Sequence, residues 1–239
     1  MPRFFIDMPP EGTVIVRGGD AVHISRSLRM KIGDGIVFCN SGTDYRCTIT
    51  AITSEQVECR VDERVPSRSE PSIALTIYQA LPKSDKLELI VQKTVELGAS
   101  RIVPFVSKRC VSLPDAGRFE KKRERLAKIS LEAAKQAGRG IVPEIAPLMS
   151  FGEAVEDLRG NDIALICYEN GGEALVGMGI DGSHSVGIMI GSEGGFERGE
   201  VEAAQAAGAR TVWLGERILR CETCPIAVTA IIMSLSGNM

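Results

Sequence analysis

Three short apolar runs late in this 239-residue chain each end in a loop that carries both glycine and a carboxylate. The run at 163–167 enters Tyr168-Glu169-Asn170-Gly171-Gly172. The run at 186–190 enters Gly191-Ser192-Glu193-Gly194-Gly195, and the run at 211–214 enters Gly215-Glu216-Arg217-Ile218-Leu219-Arg220. Continuous apolar runs of this length are too short for helices and lack the alternation of a half-exposed strand. Helical text separates them, at 200–207 and 225–235, and precedes them at 85–97 and 119–137. Two further strands are predicted at 73–81 and 101–106. Strands alternating with helices predict a parallel sheet covered on both faces.

The first 70 residues follow another pattern. Strands are predicted at 14–16, 36–39, 45–51 and 57–61, with close glycine and asparagine turns between them. One short helix is predicted over 23–30, with Asp20 as its N-cap. Short strands and tight turns point to a small barrel. The polar, proline-flanked stretch Pro66-Ser67-Arg68-Ser69-Glu70-Pro71 reads as a linker, which divides the chain into 1–70 and 71–239.

No apolar run approaches the ~20 residues of a membrane span. The N-terminus meets Asp7 too early for a secretion signal, so the expected location is the cytoplasm. Seven cysteines in no framework spacing suit that location. Cys221-Glu222-Thr223-Cys224 forms a C-x-x-C, but His23 and His184 stand at no matching metal spacing, and no metal is expected. Charge is uneven along the chain. Residues 72–145 carry a net +6 and residues 146–239 a net −8. A basic middle suits phosphates, and an acidic end suits a cation.

Ligands of open α/β sheets bind beyond the carboxyl ends of the strands. The three glycine loops fall there. They contain neither G-x-x-x-x-G-K-[ST] nor G-x-G-x-x-G, and the carboxylates of Glu169, Glu193, Glu216 and Glu222 would repel a phosphate. S-adenosylmethionine, with a sulfonium, an ammonium and an adenine that seeks backbone hydrogen bonds, fits such loops.

The segments Gly191-Ser-Glu-Gly-Gly195 and Leu214-Gly-Glu-Arg-Ile-Leu-Arg-Cys-Glu-Thr223 resemble the RsmE family of ribosomal RNA methyltransferases. So do Leu81-Pro-Lys-Ser-Asp-Lys86, Val95-Glu-Leu-Gly98, Gln136-Ala-Gly-Arg139 with Val142-Pro-Glu-Ile145, and His23-Ile-Ser-Arg-Ser-Leu-Arg29. The resemblance spans nearly the whole chain. It implies an α/β protein with an N-terminal PUA-like β-barrel over 1–70, followed by a SPOUT methyltransferase domain with a C-terminal trefoil knot over 71–239. It also implies a homodimer and methylation of N3 of one uridine in 16S ribosomal RNA of the small subunit. Three positions depart from the family pattern. Ser192 stands where proline is common, which predicts a slightly looser loop. Lys135 stands where an acidic residue is expected, and Cys224 stands where alanine is usual.

On this resemblance the cofactor contacts are Glu169, Ile190, Gly191, Glu193, Gly194, Gly195, Leu214, Gly215, Ile218, Leu219 and Thr223. Arg220 is the first choice to stabilise charge on the uracil oxygens, because a guanidinium donates in a fixed fork. Arg139 is the second. Glu193 and Glu222 are both candidates to accept the N3 proton. RNA contacts are expected from Arg26, Arg29, Lys83, Lys86, Arg109, Lys135 and Arg139. The alternative function is a non-catalytic RNA-binding ribosome-assembly factor of the same fold. The basic cluster Arg118, Lys121, Lys122, Arg123 and Arg125 is interleaved with Glu120 and Glu124 and reads as a solvated helix face.

Overall fold

The computed structural model describes residues 1–111, 115–180 and 184–239. They divide into two compact units. The first comprises Met1–Glu70 and Ala134–Ile141, and the second comprises Pro71–Ala133 and Val142–Met239.

The first unit holds β1 (Arg3–Phe5), β2 (Thr13–Arg17), β3 (Gly35–Asn40), β4 (Thr43–Ile52) and β5 (Gln56–Pro66), with helix α1 (Gly18–Val22). The strand order is β1-β3-β4-β5-β2. β1 runs parallel to β3, and the other pairs are antiparallel. No ladder joins β1 to β2 among the described residues, so the expected barrel takes the form of a half-barrel sheet. Alternate residues Phe38, Cys47, Ile49, Val57 and Cys59 point inward and build its core with Ile24 and Ile36. Cys39, Cys47 and Cys59 are buried small hydrophobes in this sheet.

Three expectations change here. The helix expected at 23–30 begins at Gly18, whose φ of +65° turns the chain directly out of β2. Asp20 therefore lies in its first turn and does not cap it, and the helix continues as a π turn over His23–Ser27. The stretch 66–71 is no free linker. Ser67 Oγ donates to Asp44 at 2.7 Å and Ser69 Oγ to the Gly138 carbonyl at 2.6 Å. Finally, Ala134–Ile141 belongs with the first unit, although it lies far along the chain. Arg139 accounts for this placement. Its side chain is 3% exposed, and its Nη2 lies 2.7 Å from Glu70 Oε2. Glu70 also accepts the Gly140 amide at 2.8 Å. Arg3 donates to Asp44 at 2.7 and 2.8 Å and to the Arg139 carbonyl at 3.3 Å.

The second unit contains β6 (Ala74–Ala80), β7 (Arg101–Val106), β8 (Glu144–Ile145), β9 (Met149–Ser150), β10 (Ile163–Cys167), β11 (Glu173–Ala174), β12 (Ser185–Ile190) and β13 (Arg210–Trp213). Their order is β11-β13-β10-β12-β6-β7-β8, with β9 also on β7, and every pair is parallel. Among the described residues five longer helices accompany the strands: α2 (Lys86–Glu96), α3 (Ala116–Gln136), α4 (Phe151–Leu158), α5 (Arg198–Ala206) and α6 (Thr223–Leu235). The last turn of α3 is assigned to the first unit. α4 is absent from the sequence reading, although Ser150 and Glu153 form a full capping box at its start. Phe196 stacks on Phe105 with centroids 6.3 Å apart, and Phe151 packs against both rings. This aromatic cluster anchors the chain just beyond β12.

Glu70→Ala should destabilise the protein by about 3 kcal/mol, because it leaves a buried guanidinium without its carboxylate; urea unfolding measures this. Asp44 supplies a pH signature. Burial pushes its carboxyl up, but hydrogen bonds from Arg3 and Ser67 outweigh burial and hold it below the usual range. That stabilisation is complete above the unfolded value of about 3.9 and is lost as pH falls through the lower folded value. Unfolding free energy between pH 6 and 3 should therefore fall less steeply for Asp44→Asn than for the wild-type protein.

Candidate active site

Parallel pairing of β10, β12 and β13 brings their carboxyl ends to one edge of the sheet. Ile166 stands opposite Met189 on one side and Thr211 on the other. The loops beyond them enclose a cleft of ≈ 560 Å³. Its walls are Cys167–Glu169, Ile190–Phe196, Val212–Cys221 and Cys224. Of the expected cofactor contacts, Glu169, Ile190, Gly191, Glu193, Gly194, Gly195, Leu214, Gly215, Ile218 and Leu219 line it, as does Arg220. Thr223 does not; it is the exposed first residue of α6. Trp213, Phe196, Arg217, Tyr168 and Cys167 also line the cleft and went unassigned in the sequence reading. Their adjacency to the glycine loops was the only signal available.

The glycines are needed at two places. A Cβ at Gly191 would lie 2.9 Å from Gly195 Cα, because the loop folds back on itself there. The Ser192 carbonyl accepts the Gly195 amide at 3.0 Å to close that turn. Gly215 has a φ of +100°, and a Cβ there would meet nothing within 4 Å. That is bare backbone facing open space. Ser192 does not loosen the loop as its replacement of proline suggested. It is buried, and its hydroxyl donates to the Arg109 carbonyl at 3.2 Å. Arg109 Nη1 in turn donates to the Gly194 carbonyl at 2.8 Å. Fully buried Gln79, at the end of β6, donates to the Gly191 carbonyl at 3.2 Å.

The carboxylates fall into two classes. Glu193 and Glu222 are committed. Lys86 Nζ lies 3.0 Å from Glu193 Oε1 and 3.1 Å from Glu222 Oε2. Glu193 also accepts the Lys83 amide at 3.1 Å. Burial pushes Glu193 up, but the Lys86 and Lys83 hydrogen bonds outweigh it and hold the carboxyl below its ordinary value. A hydrogen bond from the Cys221 thiol, backbone donors and Lys86 do the same for Glu222. Such carboxylates are poor proton acceptors, which weakens the expectation that either is the base. Glu169 and Glu216 are exposed, and neither side chain makes an ion pair or hydrogen bond among the described residues. Arg217 and Arg220 are likewise exposed and uncommitted among these residues.

Two thiols at this edge, Cys221 and Cys167, are held in the protonated form. Burial pushes the Cys221 thiol up to about 12. Cys167 is raised well above its usual value by the hydrogen bond its thiol donates to Cys224 and by burial. Among the described residues no group of three His, Cys, Asp or Glu side chains could hold a metal ion. No helix among them is long and apolar enough to cross a membrane.

The expected RNA contacts separate. Arg26 and Arg29 are exposed on the first unit, and Lys83 and Arg109 are exposed on the second. Lys135 is half-buried, with its ammonium 5.7 Å from the Phe4 ring centroid. Two assignments are corrected. Arg139 is buried in the Glu70 pair, so it offers neither a phosphate contact nor a catalytic guanidinium in this arrangement. Lys86 is engaged by two carboxylates at the cleft and presents no free ammonium to RNA.

The parallel sheet with a cleft at its carboxyl edge and the small β unit are matched by the two parts of an RNA methyltransferase. A family model described as an RNA methyltransferase domain matches residues 68–233, and one described as an RNA methyltransferase PUA domain matches residues 16–62. The second unit is thus the SPOUT-type domain and the first the PUA-like one. The chain is 35% identical to the ribosomal RNA small subunit methyltransferase E of Bacillus subtilis, over 97% of this chain and 96% of the relative. It is 31% identical to that of Mesomycoplasma hyopneumoniae, over 95% and 96%. A crystal structure of the Neisseria gonorrhoeae ribosomal RNA small subunit methyltransferase E bound to S-adenosyl methionine superposes with a TM-score of 0.90 at 28% identity, covering 99% of this chain and 98% of that one. The chain belongs to the ribosomal RNA small subunit methyltransferase E family.

Gly191→Ala forces the 191–195 turn to move and should weaken binding of S-adenosylmethionine by at least about tenfold. Isothermal calorimetry, with circular dichroism to verify the fold, measures the change.

Proposed function

We propose that this protein transfers a methyl group from S-adenosylmethionine to N3 of a uridine in 16S ribosomal RNA of the small subunit. The observation that carries the reading is the charge pattern of the cleft. Bare glycine backbone lies beside two uncommitted carboxylates, Glu169 and Glu216, and an uncommitted Arg220. The backbone at Gly191, Gly194, Gly195 and Gly215 would hold the adenosine portion, and Glu169 and Glu216 would face the cationic groups. The bound cofactor supplies an electrophilic sulfonium methyl.

The chain's own part is to hold uracil N3 in line with that methyl and to exclude water. Arg220 stabilises the negative charge that spreads onto O2 and O4 once the N3 proton has passed to bulk solvent, before the uracil is sealed against the methyl. Arg26, Arg29 and Lys83 supply phosphate contacts, and affinity then falls with salt. The protein works as a cytoplasmic homodimer. On α6, the half-buried Ile226, Ala227, Ala230 and Ile231 recur at helical spacing and form an apolar row suited to a second copy.

The test is nucleoside mass spectrometry on unmethylated small ribosomal subunits incubated with the protein and S-adenosylmethionine. The expected result is new 3-methyluridine, reduced by about 100-fold or more with Arg220→Ala. No methylated nucleoside from the folded wild-type protein would reject the reading and leave an RNA-binding assembly factor in its place.

A further inference from the structure

Lys86 occupies an unusual position at the cleft. It is the first residue of α2, and its ammonium reaches Glu193 at 3.0 Å, Glu222 at 3.1 Å and Cys221 Sγ at 3.7 Å. Glu193 belongs to the loop beyond β12. Cys221 and Glu222 end the loop beyond β13, just ahead of α6. One side chain therefore joins two of the three loops that wall the cleft. The Lys83 amide, from the same short segment, holds Glu193 a second time. An ammonium carries three donors, and three acceptors of this cluster lie within 3.0 to 3.7 Å of it.

The electrostatics make the link strong. Two carboxylates drawn to one point repel each other unless a cation lies between them. The side chains of Lys86, Glu193 and Glu222 are 30, 25 and 24% exposed, so water screens them only in part. The two glutamates raise the proton affinity of Lys86 above its ordinary value, which keeps the ammonium charged. Without Lys86, the Lys83 amide would still reach Glu193 and the Cys221 thiol Glu222, but nothing would offset the repulsion between the two carboxylates.

We propose that Lys86 is a positioning residue of the methyl-transfer cleft. It sets the spacing of the 191–197 and 215–222 loops, and through that spacing the affinity for the cofactor. The inference rests on the S-adenosylmethionine reading above.

Calorimetry with S-adenosylmethionine, and steady-state methylation of small subunits with either substrate varied, test it on wild-type, Lys86→Met and Lys86→Arg proteins. Lys86→Met should raise Kd and KM for S-adenosylmethionine about tenfold and leave KM for the subunit unchanged. A general loss of folded protein would lower kcat and leave both KM values in place. Lys86→Arg should recover most of the affinity, since a guanidinium still spans two carboxylates. If Lys86→Met does not fold, Glu222→Gln removes one arm of the link and should shift the cofactor KM in the same direction by a smaller factor. An unchanged cofactor KM with a raised subunit KM and a flatter salt dependence would make Lys86 an RNA contact and overturn the inference alone. Failure of the wild-type protein to bind S-adenosylmethionine would overturn the cofactor reading and this inference with it.

Discussion

The cleft depends on the parallel pairing of β10, β12 and β13. A parallel strand must return to the starting edge before it pairs again, so every exit loop falls on the same side of the sheet. Loops separated by dozens of residues thereby become neighbours without any side chain recruiting them. The cost is that three polar loops crowd one edge, each carrying a carboxylate. Lys86 offsets part of that crowding by pairing with Glu193 and Glu222, and the Lys83 amide adds a hydrogen bond to Glu193. The Arg109 guanidinium holds the Gly194 carbonyl of the same turn, and the Ser192 hydroxyl ties that turn to the Arg109 carbonyl. The remaining negative charge, on Glu169 and Glu216, is left where a cation can use it.

That division of labour explains why one residue type plays two parts in one cleft. The carboxylates that resemble catalytic groups by position are the ones already saturated with donors. The ones with free lone pairs sit at the rim. Arg220 and Arg217 share that freedom, in contrast to Arg139, whose charge is spent inside the first unit on Glu70. Position in a motif and availability for chemistry are separate properties, and only hydrogen-bond partners distinguish them.

Much of this was legible in the residues. Long β strands such as β4 and β5 show their alternation, and the second unit's strands show continuous apolar text ended by glycine. The glycine–carboxylate loops located the cleft, with Glu169, Gly191 and Gly215 on its wall. What escaped has a common cause. β8, β9 and β11 are two residues long, too short for any periodicity. Their pairing depends on neighbours already in place. The π turn at His23–Ser27 and the left-handed Gly18 reflect backbone geometry that composition does not encode. Arg139 looked like a surface arginine because its partner, Glu70, stands 69 positions earlier. Nothing local to Gln136-Ala137-Gly138-Arg139 signals that the guanidinium is buried.

The return of Ala134–Ile141 to the first unit also bears on how such a protein could arise. The chain passes between the two units at three places, near residues 70, 133 and 141. A segment ending at Glu70 would carry a carboxylate whose buried partner is encoded elsewhere. The first unit is therefore not a cassette that gene shuffling could append or remove with a single breakpoint. The two units are bound to share an evolutionary history, since a substitution at Glu70 is felt at Arg139, within a stretch that begins inside a helix of the second.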